Sequence, residues 1–221
     1  AAAAAAAAGG GKEEEEDEAE QQRAEAFEAV RASVASMVVL RQAMLDYVKK
    51  ASGVVLKPSL EVISASEIVH SAYLVLKQLL ARTGSVRPRY VLDPRLARAR
   101  VVSSKSWLLD MLLNYVSNAV KFTAAGEICI SARCAADPTT GRALAVFEVR
   151  DTGRGVAPAH RARLFRSFGQ LQRDAGGTGL GLASVKQKAT ILGGDAGHRG
   201  APGGGPGSVF YFHVPLEPLH T

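Results

Sequence analysis

"NYVSNAVKFT", residues Asn114 to Thr123, decides how this chain is read. Trp107, Leu108, Met111, Leu112, Tyr115, Val116, Ala119 and Val120 recur at the spacing of one helical face. Asn114 and Asn118 stand four residues apart and Lys121 three further on, so all three share another side of the same helix. Two neutral oxygen donors and a cation facing one space suit a metal ion paired with phosphate. Magnesium takes oxygen ligands while keeping several waters, and a lysine meets phosphate oxygens that the metal leaves uncovered. Asparagines on a solvated face give the same pattern, so the helix alone leaves both readings open.

Two further stretches add chemistry. In "ALAVFEVRDTGRGV", Ala145, Phe147, Val149 and Asp151 share one side of a strand, so an apolar row ends in a carboxylate. A carboxylate there can accept a hydrogen bond from the exocyclic amine of a purine, while Gly153 and Gly155 let the backbone turn tightly beside the ring. A polar turn after a hairpin strand reads the same way. In "GGTGLGLASVKQKATILGG", glycines 176, 177, 179 and 181 run into a helix expected from about Leu182 to Leu192. Unencumbered amides at a helix start form a cradle for anions. The stretch lacks the Gly-Lys-Ser/Thr ending of a P-loop, and it does not follow a strand closely enough for a dinucleotide turn. A flexible glycine-rich loop is its bland alternative.

Around these stretches the chain divides into three parts. Residues 1–20, "AAAAAAAAGGGKEEEEDEAE", offer nothing bulky to bury and read as a low-complexity, disordered tail. Residues 21–53 carry Phe27, Val30, Val34, Met37, Met44 and Val48 at three- and four-residue steps without Pro or Gly until Gly53, the pattern of a long helix that needs a partner. From residue 54 to 217, helices alternate with strands. A helix is expected from Ser66, as N-cap, to Arg82, and short strands at "RYVLDP" and "ARVV". Ser104 is expected to cap the asparagine helix, and "EICISAR" pairs with "ALAVFEVRD" in a hairpin. A short helix near Ala159–Phe165 and a last strand, "SVFYFHVP", complete the series. The fold class expected is α/β, a two-layer sandwich with a mixed sheet and helices on one face.

The acidic tail masks the charge of the remainder. Of 27 basic and 21 acidic side chains it holds one lysine and seven acids, leaving residues 21–221 with a net charge of +12. Such a surface favours anionic partners. The basic residues are scattered and lack an aromatic-rich strand, so nucleic acid is not expected among the partners. Cys129 and Cys134 are too few for a disulfide framework or metal cluster. There is no apolar run of membrane-spanning length and no secretory signal, so the segment is expected to be soluble and cytoplasmic, whatever a longer parent protein does.

In order and spacing, Asn118 and Lys121, then "DTGRG", "LFRSFGQ", "GGTGLGLA" and a closing "GSVFYFHVPL" resemble the ATP-binding catalytic domain of sensor histidine kinases, the Bergerat-fold group. The resemblance runs from about Leu40 to Leu216, and all four boxes of the family occur in sequence. It implies that Asn118 holds Mg2+, that Asn114 supports metal and phosphates, and that Lys121 contacts phosphate. Asp151 would read the adenine amine beside Gly153 and Gly155. Phe165 and Phe168 would anchor a mobile lid, and Gly177, Thr178, Gly179, Leu180, Gly181 and Leu182 would let it close over ATP. The partners implied are ATP, a response-regulator receiver domain and, through the 21–53 helix, a second copy of the protein. The activity implied is transfer of the γ-phosphoryl group to a histidine and then to the regulator.

The chain departs from the family in one important respect. None of its histidines, at 70, 160, 198, 213 and 220, has the acid, arginine and proline that accompany a phosphoacceptor. The acceptor is therefore expected elsewhere, in a longer sensor protein of which this would be the catalytic portion. A non-catalytic ATP-binding or pseudokinase module remains the alternative. A hydrolase relative ranks lower, because such enzymes carry a catalytic glutamate in the asparagine helix, where this chain has Asp110 and Ser117 at the positions compared. Ser104 in place of the usual acidic cap and the "GAPGGGPG" insertion are lesser departures.

Overall fold

The computed structural model describes residues 56–81, 84–166 and 180–216, all within one compact unit, Val39–Thr221. The expected 21–53 helix, the 1–20 tail and the boundary between them lie outside the described residues, as do Phe168, Gly177, Thr178 and Gly179. Strand β1 (Glu61–Ser64) leads into α1 (Ala65–Leu79), then β2 (Val86–Leu92), α2 (Pro94–Arg98) and β3 (Arg100–Ser103). The asparagine helix follows as α3 (Lys105–Phe122). Next come β4 (Gly126–Ala136), β5 (Ala143–Asp151), α4 (Pro158–Arg161), α5 (Gly181–Ile191), β6 (Asp195–Gly200) and β7 (Ser208–Pro215).

Five strands form one mixed sheet in the order β2-β4-β5-β7-β6, with β2 parallel to β4 and every other pair antiparallel. A separate ribbon pairs β1 with β3. Alternation along each strand sends one set of side chains into the core and the other outward. Ile128, Ile130, Phe147, Val149, Phe210 and Phe212 join Ile68, Leu76, Leu108, Met111, Leu112, Tyr115 and Val185 from the helices in one buried cluster. At its centre Phe147 stacks on Phe212 with ring centroids 5.1 Å apart, and the buried Tyr115 hydroxyl donates to the Tyr211 carbonyl oxygen at 3.1 Å. The opposite face of the sheet mixes ion pairs with buried apolar residues such as Leu144, Val146 and Val209. Glu127 there is bridged by Arg89 and Arg150, and Glu148 by Arg133 and Arg199. The two-layer, mixed-sheet class expected from the sequence is the one observed.

Several boundaries differ from the expectation. Ser64, extended at φ −102°, takes the N-cap position of α1, so Ser66 is the second residue of its first turn, its hydroxyl 2.6 Å from that of Ser64. Ser104 does precede α3 but makes no side-chain capping bond; its carbonyl accepts from the Leu108 amide instead. Strand β4 runs through Cys134 to Ala136, longer than "EICISAR", because the turn tightens only at Asp137, whose carboxylate accepts from the Thr139 and Thr140 amides at 2.8 Å each. Two elements were not expected at all. Helix α2 is capped by Asp93, which accepts from the Arg95 amide at 2.9 Å, with Pro94 opening the helix. Strand β6 lies at the sheet edge.

His198, on β6, packs its ring 4.8 Å from that of Phe210, and neither ring nitrogen has a partner among the described residues. Burial first, then the charge of Arg161, lowers its pKa to about 4. An unfolded histidine titrates near 6.5. Between those values the unfolded chain binds a proton that the folded chain refuses, so stability falls as pH is lowered through that window. Between pH 7 and pH 5 this histidine should withdraw on the order of 1–2 kcal/mol. Denaturant titrations of the wild type and His198→Gln at both pH values test it: the variant should show the shallower pH dependence, and parallel curves would refute the assignment.

Candidate active site

The candidate site forms where three separated segments meet at one end of the sheet: the last turns of α3, the loop after β5, and the start of β7. Asp151 ends β5 and is only 5% exposed. Its Oδ1 accepts from the Gly153 amide at 2.9 Å, and the Ser208 amide also donates to the carboxylate. Burial raises its pKa, and the two amides oppose that shift without cancelling it. A carboxylate so held keeps acceptor capacity for a further donor, such as the amine of a base.

Glycines make this geometry possible. A side chain at residue 153 would drive its first carbon into the Phe122 carbonyl oxygen, so the loop lies directly on the end of α3. Gly155 adopts φ +72° and its Cα faces the backbone of Gly207. Gly207, at φ +123°, has no room for a side chain because the Asp151 carbonyl oxygen fills it. The end of the "GAPGGGPG" insertion is thus part of the wall behind Asp151, and Ser208 and Gly207 are site residues that sequence reasoning missed. The signal available was the glycine immediately before the last strand. Thr123, 5% exposed at the end of α3, also escaped notice; its buried hydroxyl has no partner among the described residues.

On α3, Asn114 and Asn118 are half-buried and Lys121 is exposed. Gly181, the first residue of α5, packs against the Asn114 side-chain amide so closely that any side chain there would overlap it. Asn114 of the asparagine helix and Gly181 at the start of α5 are therefore brought together. Lys121 Nζ stands 5.3 Å from the Phe122 ring, and the Arg154 guanidinium 4.6 Å from the same ring. Desolvation, with Arg154 second, lowers the Lys121 pKa. Leu180 is buried at the N-cap position of α5, Leu182 and Phe165 pack against the main core, and Phe165 also lies 6.0 Å from Lys186 Nζ. Asp110, one of the positions where a hydrolase's glutamate was sought and not found, pairs with Lys188 of α5 at 3.2 Å.

Residues 104–218 match the family described as "Histidine kinase-, DNA gyrase B-, and HSP90-like ATPase". The chain belongs to that family. The comparisons fall in its histidine kinase branch. The "Signal transduction histidine-protein kinase BarA" of Escherichia coli is 36% identical over 121 residues, 53% of this chain and 13% of BarA. The "Sensory/regulatory protein RpfC" of Xanthomonas campestris is 31% identical over 212 residues, 91% of this chain and 28% of RpfC. This chain therefore spans under a third of either relative. Among solved structures, full-length ShkA in complex with AMPPNP superposes with a TM-score of 0.69 at 29% identity, covering 86% of this chain and 38% of ShkA. The mycobacterial sensor histidine kinase MprB shares the fold at TM-score 0.57 and 24% identity, covering 73% of this chain and all of its own.

The close seat of Gly181 on Asn114 yields a prediction that needs no ligand. Gly181→Ala should lower stability by about 1–3 kcal/mol through overpacking. The same substitution in an Asn114→Ala background should cost less than half as much, because the obstructing amide is gone. Urea unfolding of the four proteins provides the measurement, and equal costs in both backgrounds would show that the two residues do not meet.

Proposed function

We propose that this chain is the ATP-binding catalytic portion of a sensor histidine kinase, passing the γ-phosphoryl group of ATP to a histidine on another segment for relay to a receiver domain. The observation that carries this reading is the buried Asp151 carboxylate, held by two backbone amides at the end of β5, within a wall of glycines that no side chain could replace. It is the arrangement expected for an adenine pocket. The ShkA complex with AMPPNP supports a nucleotide in a related fold.

The remaining roles follow from placement. Asn118 and Asn114 supply neutral amide oxygens on one face of α3, a donor set suited to Mg2+, which when bound would neutralise charge on the phosphates. Lys121 and Arg154 bring cations to the same end of α3. Phe165 packs against the core, and Leu180, Gly181 and Leu182 bring backbone amides to the start of α5; the resemblance assigns Gly177, Thr178 and Gly179, outside the described residues, to the same lid. In the transfer itself a histidine nitrogen attacks the γ-phosphorus, the bond to the β–γ bridging oxygen breaks, and ADP leaves with that electron pair. Catalysis of this kind is chiefly positioning and charge stabilisation. The receiver partner, the dimer formed through residues 21–53 and a cytoplasmic location belong to the same reading. Among the described residues no helix is long and apolar enough to cross a membrane.

One observation favours a second reading, a non-catalytic ATP-binding module: no histidine of the chain sits in a phosphoacceptor context. Phosphotransfer from radiolabelled ATP to a separately supplied histidine-bearing dimerisation domain separates the two. Labelled acceptor supports the kinase; ATP binding without label supports the module.

Two substitutions test the site. Asn118→Ala should weaken ATP binding in the presence of Mg2+ by at least about tenfold, read by calorimetry with and without the metal. Unchanged affinity would remove the metal assignment. Asp151→Asn should weaken ATP binding roughly ten- to a hundredfold, and the wild type should prefer ATP to GTP. Equal affinity for the two nucleotides would mean that Asp151 does not read the base.

A further inference from the structure

Helices α3 and α5 meet at a second point, away from the asparagine–glycine contact. Lys188 is only 3% exposed, its Nζ donates to Asp110 Oδ2 at 3.2 Å, and it lies 5.9 Å from the Trp107 ring. Asp110 precedes Asn114 by four residues, and Lys188 follows Gly181 by seven. Contacts that advance along α3 retreat along α5, so the two helices run antiparallel and are pinned at two positions, one of them within the candidate site.

We propose that the Asp110–Lys188 ion pair positions the nucleotide site, fixing the register of α5 on α3 so that the glycine start of α5 stays seated against Asn114. The inference rests on reading that site as the place where Mg-ATP binds. Leu108, Met111 and Leu112 of α3 and Val185 and Ala189 of α5 all belong to the one buried apolar cluster. Apolar surfaces attract without direction and tolerate small sliding movements. An amine bonded across them does not, because sliding one helix along the other stretches a directional, charge-assisted hydrogen bond. A buried lysine is a poor choice for stability alone, since an apolar side chain of similar length would fill the space at lower desolvation cost. What it adds is a single permitted register, the use best attested for buried polar groups in helix pairs. A shift of α5 along α3 would lift Gly181 away from Asn114 or press its neighbours into the amide, and either displaces a donor for metal and phosphate.

The test uses the full chain and ATP with Mg2+. Lys188→Met keeps an unbranched side chain in the same space and removes the charge. It should fold with a Tm at or above that of the wild type, yet bind Mg-ATP about five- to tenfold more weakly by calorimetry. Asp110→Glu, which preserves the carboxylate, should stay within about twofold of the wild type. In an Asn114→Ala background Lys188→Met should have less than about a twofold effect, because the group it positions is gone. A purely structural role would move Tm and leave affinity alone. Wild-type affinity in Lys188→Met, or an equal loss in the Asn114→Ala background, overturns the inference while leaving the site intact. If Lys188→Met fails to fold, Asp110→Asn is measured against the same criteria. Absence of ATP binding by the wild type would overturn the nucleotide reading and this inference together.

Discussion

A carboxylate removed from water is the constraint around which this end of the molecule is organised. Asp151 sits at the end of a strand flanked on both sides by its neighbours, and among the described residues its charge is met by backbone amides rather than by a cation. An arginine partner would satisfy the carboxylate completely and leave nothing for a ligand. Amides from Gly153 and Ser208 hold it in place while leaving lone pairs unspent. That solution demands that two stretches of backbone approach closely. Close approach in turn demands glycine at 153, where the Phe122 carbonyl occupies the space of a side chain, and at 207, where the Asp151 carbonyl does.

The same logic explains why α3 is two-faced. Leu108, Met111, Leu112, Tyr115 and Val116 are fully buried, and Tyr115 reaches across the core to the Tyr211 carbonyl, so the helix cannot rotate without losing a buried hydrogen bond. That fixed rotation is what presents Asn114, Asn118 and Lys121 at one place. The core face thus determines the orientation of the polar face, and the site inherits its precision from packing that no ligand touches.

The helical elements that carry the site were legible because their signals are strong: a long 3.6-residue periodicity for α3, a glycine-to-apolar transition for α5. The turn at Asp151 was legible as an apolar row ending in an acid. What escaped had weaker local signals. Strand β6, "DAGHRG", contains one buried apolar residue, Ala196, and is a strand only because β7 offers it an edge. Ser208 and Gly207 looked like the tail of an insertion, since nothing in their neighbours shows that they abut a turn more than fifty residues earlier. Ser66 resembled an N-cap because serine caps helices generally, but the extended backbone at Ser64 starts the helix earlier. In the same way, Lys188 read as one more basic residue; only the fold shows it to be buried.

Charge shows the same limit of composition. A net +12 outside the tail says that anions are favoured but not where. On the outer sheet face, four half-exposed arginines are committed to the largely buried Glu127 and Glu148. At the end of α3 the arrangement is different. Lys121 and Arg154 flank one phenylalanine ring, and the arginine contributes to lowering the lysine pKa. The charge of Arg154 adds to partial desolvation in disfavouring the protonated lysine. On the proposed reading, a polyphosphate bound there would gain the attraction of both cations. Arg154 lies in the loop that encloses Asp151, and Lys121 on the helix that bears the asparagines. On the proposed reading, the close approach of Gly153 to Phe122 would couple base recognition to phosphate attraction in one ligand.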